Sequence, residues 1–249
     1  MTRATTYLLI DISNSFTKLA LASRKRIARP SRIATNKLTA AYLRGFIKRR
    51  KIDMFVVCSV VPKKNREVKS AARKTQILWL GPHVKLGVGI KYPSPKTIGA
   101  DRLANAAAVA ALYGAPAIVV DFGTAVTFDI VSAEKKYIGG VIAPGLEAMT
   151  NFLYQRTALL PKLALREPRS AIGRSTIEAM MAGAVFGYRG LVKELIARIK
   201  AEAFPGSNRV RTVATGGYAD LIAAELPEIE AVHPHLTLEG LRIAATINS

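Results

Sequence analysis

Residues that staple small folds or build metal clusters are scarce in this sequence. Its 249 residues include one cysteine, Cys58, one tryptophan and three histidines. A lone cysteine gives no disulfide framework and no cysteine-based zinc cluster within one chain, and it fits a reducing compartment. Acids are few as well, 17 against 37 Lys and Arg, for a net charge of +20. No Gly-x-x-x-x-Gly-Lys-Ser/Thr occurs, which excludes a P-loop, and no Gly-x-Gly-x-x-Gly follows a strand, which removes the dinucleotide fingerprint. The Gly-x-Ser-x-Gly elbow of acyl hydrolases is missing too. Long apolar runs are rare. Residues 103–120 carry no charge, but Asn105 and the Gly114-Ala115-Pro116 break divide them into a helix, a turn and a strand rather than a membrane span. The apolar run at the N-terminus stops at Asp11, too early for a secretory signal. The expectation is a soluble cytoplasmic protein with no membrane segment.

Half of the residues are hydrophobic, so the chain can bury a core, and its length suits one large or two small domains. The charge is uneven. Residues 1–100 carry 22 Lys and Arg against Asp11, Asp53 and Glu67, a net of +19, and residues 101–249 are nearly balanced. The run Lys48-Arg49-Arg50-Lys51 belongs to the basic part. Such a region suits an acidic partner, nucleic acid included, or is simply a solvated basic face; charge speaks to steering and solubility rather than to fold.

Hydrophobic periodicity predicts strands at 7–10, 19–22, 54–57, 77–80, 118–120, 126–131, 137–142 and 210–214. Helices are expected over 38–46, from Gly99 through the Ala-rich stretch, and over 147–154, 176–199, 219–225 and 237–247. Strands alternating with helices imply an α/β fold.

An internal repeat is the most informative feature. Tyr7-Leu8-Leu9-Ile10-Asp11-Ile12-Ser13-Asn14-Ser15-Phe16-Thr17 returns 110 residues later as Ala117-Ile118-Val119-Val120-Asp121-Phe122-Gly123-Thr124-Ala125-Val126-Thr127. Each copy is an apolar strand, an Asp at its end, a small polar turn and a Thr further on. Either a domain is duplicated, or two ordinary hairpins use Asp as a turn residue. Turns of this kind gather backbone N–H groups and the hydroxyls of Ser13, Ser15 and Thr124, which bind phosphate oxygens. The carboxylates of Asp11 and Asp121 repel phosphate but hold a cation or its waters beside it. Lys18 adds a positive charge close to the first turn.

The two Asp turns resemble the phosphate loops of the acetate and sugar kinase, heat-shock ATPase and actin superfamily. Within it the match narrows to type III pantothenate kinases, along the whole chain and in order. Residues 11–18 are similar to a first phosphate motif Asp-x-Gly-Asn-Ser/Thr-x-x-Lys, with Ser13 where the family usually has glycine. Ser59-Val60-Val61-Pro62, Tyr92 with Gly99-Ala100-Asp101-Arg102, and Asp121-Phe122-Gly123-Thr124-Ala125 follow. The 139–145, 157–161 and 173–176 motifs come next, then the adenosine-side turn Thr215-Gly216-Gly217.

The resemblance implies two duplicated actin-like (ribonuclease H-like) domains with mixed sheets flanked by helices, over residues 1–115 and 116–249. It implies ATP-dependent phosphorylation of pantothenate, with Asp101 as catalytic base. Tyr92, Gly99, Ala100, Asp101, Arg102 and Thr176 would contact pantothenate. Asp11, Ile12, Ser13, Asn14, Ser15, Phe16, Thr17, Lys18 and Thr124 would hold the nucleotide. Asp121 would hold a monovalent cation, potassium or ammonium, with magnesium accompanying ATP, and the working form would be a homodimer. Read without the resemblance, Asp101 can also be merely the N-cap of the Ala-rich helix, and Thr176 can simply begin or cap the helix over 176–199. A regulatory or nucleic-acid-binding protein on the same scaffold is the alternative that the basic region motivates.

Overall fold

A computed structural model describes residues 5–48, 50–207 and 209–249. Arg49 of the basic run lies outside them. The order is β1 (Tyr7–Ile12), β2 (Phe16–Ala22), β3 (Ser31–Ala34), α1 (Ala40–Ile47), β4 (Met54–Ser59), α2 (Asn65–Ala72), β5 (Gln76–Trp79), β6 (Gly89–Ile90), α3 (Ala100–Leu112), β7 (Ala117–Phe122), β8 (Ala125–Val131), β9 (Lys136–Pro144), α4 (Leu146–Arg156), α5 (Thr176–Ala203), β10 (Arg211–Gly216), α6 (Ala219–Ala223), β11 (Ala231–Val232) and α7 (Leu236–Ile247). The chain folds as two compact units. One takes in the chain up to Gly114, Lys135–Ile138 and His235–Ser249; the other takes in Ala115–Glu134 and Gly139–Pro234.

The sheet of the first unit runs β3-β2-β1-β4-β5. β1 is antiparallel to β2 and parallel to β4. All six residues of β1 are buried, as befits a central strand covered on both faces. Period-two alternation sorts them. Leu8, Ile10 and Ile12 join a core with Leu38, Leu43, Phe55 and Val68, under α1 and α2. Tyr7, Leu9 and Asp11 project to the other face, which α3 and α7 cover by packing on β4 and β1. The α1 start is tied twice: Thr39 Oγ1 accepts the Tyr42 N–H at 3.1 Å and Glu67 Oε2 accepts the Ala40 N–H at 2.9 Å. Asp53 Oδ2 likewise accepts the Thr6 N–H at 2.7 Å. Both acids near the α1–α2 layer thus serve backbone amides, while Lys64 Nζ donates to the Asn36 and Leu38 carbonyls, each at 2.9 Å.

On the other face α3 and α7 cross closely. A Cβ at Gly240 would lie 2.0 Å from the Ala104 carbonyl oxygen, so this crossing requires glycine. Beside it Thr237 Oγ1 donates to Asn105 Oδ1 at 2.9 Å, both residues being buried. Small residues along α3 let the backbones approach, which explains its alanine content. Residues 103–120 divide as expected into the body of α3, a turn at Gly114 with φ 92°, and β7.

The second unit repeats the plan, with strands in the order β11-β10-β7-β8-β9. β7 is central, antiparallel to β8 and parallel to β10, as β1 is to β2 and β4. β6 pairs in parallel with the first residues of β9, Gly89 with Lys136 and Ile90 with Tyr137, all four inside the first unit. The α/β architecture expected from the sequence, two mixed sheets flanked by helices, is the one observed.

Candidate active site

In the first unit the turn after β1 spans residues 13–15, and in the second the turn after β7 spans 123–124. One extra residue shifts the register. Thr127 pairs with Asp121, but Thr17 pairs with Ile12, and Lys18 is the residue opposite Asp11. Residues opposite one another across antiparallel strands share a face, so Lys18 stands beside Asp11. Thr17 points the other way and is fully buried, its Oγ1 3.0 Å from Thr35 Oγ1.

Ser13 stays outside the left-handed region that glycine would open. Its N–H donates to the Phe16 carbonyl at 3.1 Å, and its hydroxyl donates to Asp11 Oδ1 at 3.2 Å. Val60 N–H donates to the Ile12 carbonyl at 3.0 Å, which docks the 59–62 motif on the end of β1. Ser59 Oγ holds that motif by donating to Asn65 Oδ1 at 2.7 Å.

The same unit carries the Tyr92 and 99–102 motifs. Gly99 is the N-cap of α3 and offers no side-chain cap; Asp101 sits in the first turn. Its Oδ1 accepts the Arg102 N–H at 2.9 Å and lies where a Gly99 Cβ would be, 2.4 Å away. Glycine at 99 is therefore what lets the carboxylate fold back over the helix start. Burial pushes the Asp101 pKa above its ordinary 3.8, and the bond and charge of Arg102 offset this only in part. A carboxyl made more basic in this way suits proton abstraction. Tyr137, which the sequence reading did not single out, links the two motifs. Its ring centroid is 6.0 Å from that of Tyr92, edge-on, and 5.8 Å from the Arg102 guanidinium carbon.

In the second unit Asp121 lies at the end of β7, in register with Thr127 on β8 and Thr215 on β10. Three oxygen-bearing side chains thus form a row across three strands. Thr215 is 1% exposed and its hydroxyl has no hydrogen-bond partner. Two glycine-bearing motifs close on the adjacent turn. Gly145 N–H donates to the Thr124 carbonyl at 3.2 Å, and a Cβ there would lie 2.3 Å from that oxygen. Gly216, at φ 98°, rests against the Phe122 backbone, and Gly217 N–H donates to the Phe122 carbonyl at 3.0 Å. Tyr218 Oη donates to Glu147 Oε2 at 3.2 Å, tying the 215–217 turn to the first turn of α4.

Thr176 is the exposed first residue of α5, and Ser175 is its N-cap, accepting the Glu178 N–H at 3.2 Å. Asp11 to Lys18, Tyr92 and Gly99 to Arg102 therefore belong to the first unit, and Asp121, Thr124 and Thr176 to the second.

Known proteins agree with this picture at two levels. The solved structure of a Campylobacter jejuni protein of the Baf family, named a transcriptional activator, matches at TM-score 0.62 with 19% identity over 97% of this chain and 98% of that one. Inorganic polyphosphate/ATP-glucomannokinase from Arthrobacter matches at TM-score 0.52 with 13% identity, covering 98% and 100%. At such identities the likeness concerns the fold alone. The sequence goes further. The family profile described as type III pantothenate kinase matches residues 7–198. A type III pantothenate kinase of Akkermansia muciniphila is 50% identical over 98% of this chain and 99% of its own length. One of Methylacidiphilum infernorum is 43% identical over 96% and 88%. Identity at this level along nearly the whole chain does not depend on any one motif, and it settles kinship: the chain belongs to the type III pantothenate kinase family.

Proposed function

We propose that this protein transfers the γ-phosphoryl group of ATP to the primary hydroxyl of pantothenate, yielding 4'-phosphopantothenate and ADP, the first step of coenzyme A synthesis. The observation that carries the reading is the full-length likeness to relatives bearing that activity in their name. The raised basicity of Asp101 supports it.

Asp101 takes the proton of the pantothenate hydroxyl as that oxygen bonds to the γ-phosphorus. The bond from phosphorus to the β,γ-bridging oxygen breaks, and ADP leaves with its electrons. The transition state is loose, so positioning and charge neutralisation do most of the work. Arg102, a planar cation suited to carboxylates, binds pantothenate with Tyr92, Gly99, Ala100 and Thr176. Residues 11–18 and Thr124 hold the ATP phosphates, which carry magnesium. In this division the first unit, with α7, carries the first phosphate loop, and Ala115–Glu134 with Gly139–Pro234 carry the second loop and the adenosine-side turn.

The row of Thr127, Asp121 and Thr215 fits a monovalent cation: one carboxylate, two hydroxyls, and a buried Thr215 oxygen without a partner. Such an ion would supply fixed positive charge beside the phosphates. Replacing potassium by sodium at constant ionic strength is expected to lower kcat severalfold, measured by pantothenate-dependent ADP release. An equal rate in both salts would contradict the role given to Asp121.

The same reading makes the enzyme a cytoplasmic homodimer. No described helix is long and apolar enough to cross a membrane, and Cys58 is buried and in no disulfide. The second unit exposes Ile142, Met149, Phe152, Leu153, Tyr154 and Leu159, more large apolar side chains in one stretch than solvent favours. Phe152, at 59% exposure, is the natural probe. Light scattering after size exclusion is expected to give a dimer for the wild type and a monomer for Phe152→Asp. A monomeric wild type would overturn the homodimer.

The reaction itself is tested by supplying ATP, magnesium, potassium and pantothenate and following ADP. Formation of ADP that requires pantothenate supports the proposal.

A further inference from the structure

Lys18 is the cation that the sequence attaches to the first phosphate turn, and the sheet puts a second one beside it. On β3 Arg32 is in register with Lys18, which is itself in register with Asp11. Arg32, Lys18 and Asp11 thus form one row on one face across three strands. Phe16, two residues before Lys18 on β2, projects to that face as well. The Arg32 guanidinium carbon lies 3.4 Å from the centroid of the Phe16 ring. A guanidinium laid flat on a ring is held by cation–π attraction and keeps its N–H groups pointing outward in its own plane. That is the arrangement that meets two phosphate oxygens at once. Neither Arg32 nor Lys18 has an ion-pair partner among the described residues, and Phe16 directly follows the turn as the first residue of β2.

The residue that follows β3 braces the turn. Thr35 N–H donates to the Ser15 carbonyl at 3.0 Å, and Thr35 Oγ1 donates to the Ser13 carbonyl at 2.7 Å. Its single hydroxyl proton is then used, so the 3.0 Å contact with Thr17 Oγ1 has Thr17 as donor. Thr35 is 3% exposed and Thr17 fully buried. Two carbonyls of the turn are thereby drawn toward Thr35, while Arg32 lies over the Phe16 ring next to the turn. Packing alone does not account for this pairing, since a leucine would cover Phe16 without bringing a charge.

We infer that Arg32 is a phosphate-binding residue of the nucleotide site, acting with Lys18, and that Phe16 and Thr35 position it and the turn. This rests on the proposal that residues 11–18 hold the ATP phosphates, and it adds a ligand from a different strand.

The test is direct binding of ATP and of AMP by calorimetry to the wild type, Arg32→Met, Arg32→Gln and Arg32→Lys, together with KM for each substrate. Removing the guanidinium is expected to raise the Kd for ATP at least tenfold while Kd for AMP changes less than twofold. KM for pantothenate should stay within twofold, and Arg32→Lys should recover only part of the loss. The dependence of ATP binding on salt should also become shallower in Arg32→Met. Wild-type ATP affinity in Arg32→Met or Arg32→Gln would overturn the inference. So would equal weakening of ATP and AMP, which would mark Arg32 as packing. A wild type that binds ATP yet does not phosphorylate pantothenate would remove the substrate reading and leave Arg32 in place. One that binds no ATP would remove both.

Discussion

Asp101→Asn is expected to lower kcat by about 10²–10⁴-fold, the usual contribution of a positioned general base, with little change in ATP affinity. Asparagine keeps an oxygen able to accept the Arg102 N–H, a bond of 2.9 Å in the native site, so the start of α3 should survive. What is lost is a group able to take a proton. The pH dependence follows from the environment of the carboxyl. Burial raises its pKa from the ordinary 3.8, so the acid limb of the rate profile should fall at a pH above that value, and it should disappear in the variant. Stability moves the opposite way. The folded protein holds the Asp101 proton more tightly than the unfolded chain does, so this residue costs stability as pH rises from the ordinary value through the raised one, and the full cost is present above it. Asp101→Asn avoids that cost. The inactive variant is therefore expected to be at least as stable as the wild type near pH 7.5, with the difference vanishing in strong acid. A clearly lower denaturant midpoint near neutrality would show that the carboxylate is a structural cap after all.

Gly240→Ala is the second large effect, this time on folding. The added methyl would lie 2.0 Å from the Ala104 carbonyl oxygen and 2.5 Å from its carbon. Both are helix backbone, so relief requires α7 to move off α3. Overpacking of this kind costs about 3 kcal/mol at the upper end of its usual range. The roughly 1 kcal/mol that alanine gains over glycine within a helix does not offset it. Equilibrium urea unfolding should show the loss as a lower midpoint. Because α7 also packs on β1 and β4, the strand that delivers Asp11 should be loosened with it. Unchanged stability would mean that the α3–α7 crossing is looser than described.

Much of this was legible in the residues because a few patterns are strict. The repeat at 110 residues reflects a shared sheet plan, in which β1 and β7 each lie between an antiparallel and a parallel neighbour. The strand-then-Asp spelling survives because a central strand must be apolar and its end must turn. α2 was not anticipated. Asn65–Ala72 is short and polar, with Val68, Ala71 and Ala72 its buried residues, too few to set a helical period. The short β3 was missed for a similar reason, and with it Arg32 and Thr35. The place of α7 was not legible either. Its periodicity announces a buried face, yet nothing in it says which sheet that face covers. It packs with α3 in the first unit, through a glycine whose reason appears only when Ala104 is seen beside it. The one-residue difference between the two turns was likewise hidden. Equal Asp-to-Thr spacing in sequence conceals a register shift that buries Thr17 and brings Lys18 alongside Asp11.

The basic first unit also takes a narrower meaning. Glu67 and Asp53 are engaged by backbone amides and Glu67 also pairs with Arg66, which leaves the first unit with a large excess of positive charge. An excess of this kind raises the local concentration of small anions in general, over the roughly 8 Å that screening allows at physiological salt. Arg32 and Lys18 differ from the rest in standing in one row with Asp11.

Phosphorus NMR of ATP, magnesium, potassium and pantothenate incubated with the purified protein tests the central claim most directly. The account predicts loss of the γ-phosphate signal, growth of ADP, and one new phosphomonoester on the primary hydroxyl of pantothenate, all slowed about 10²–10⁴-fold with Asp101→Asn. Hydrolysis to inorganic phosphate, or no change at saturating ATP and pantothenate, would contradict it.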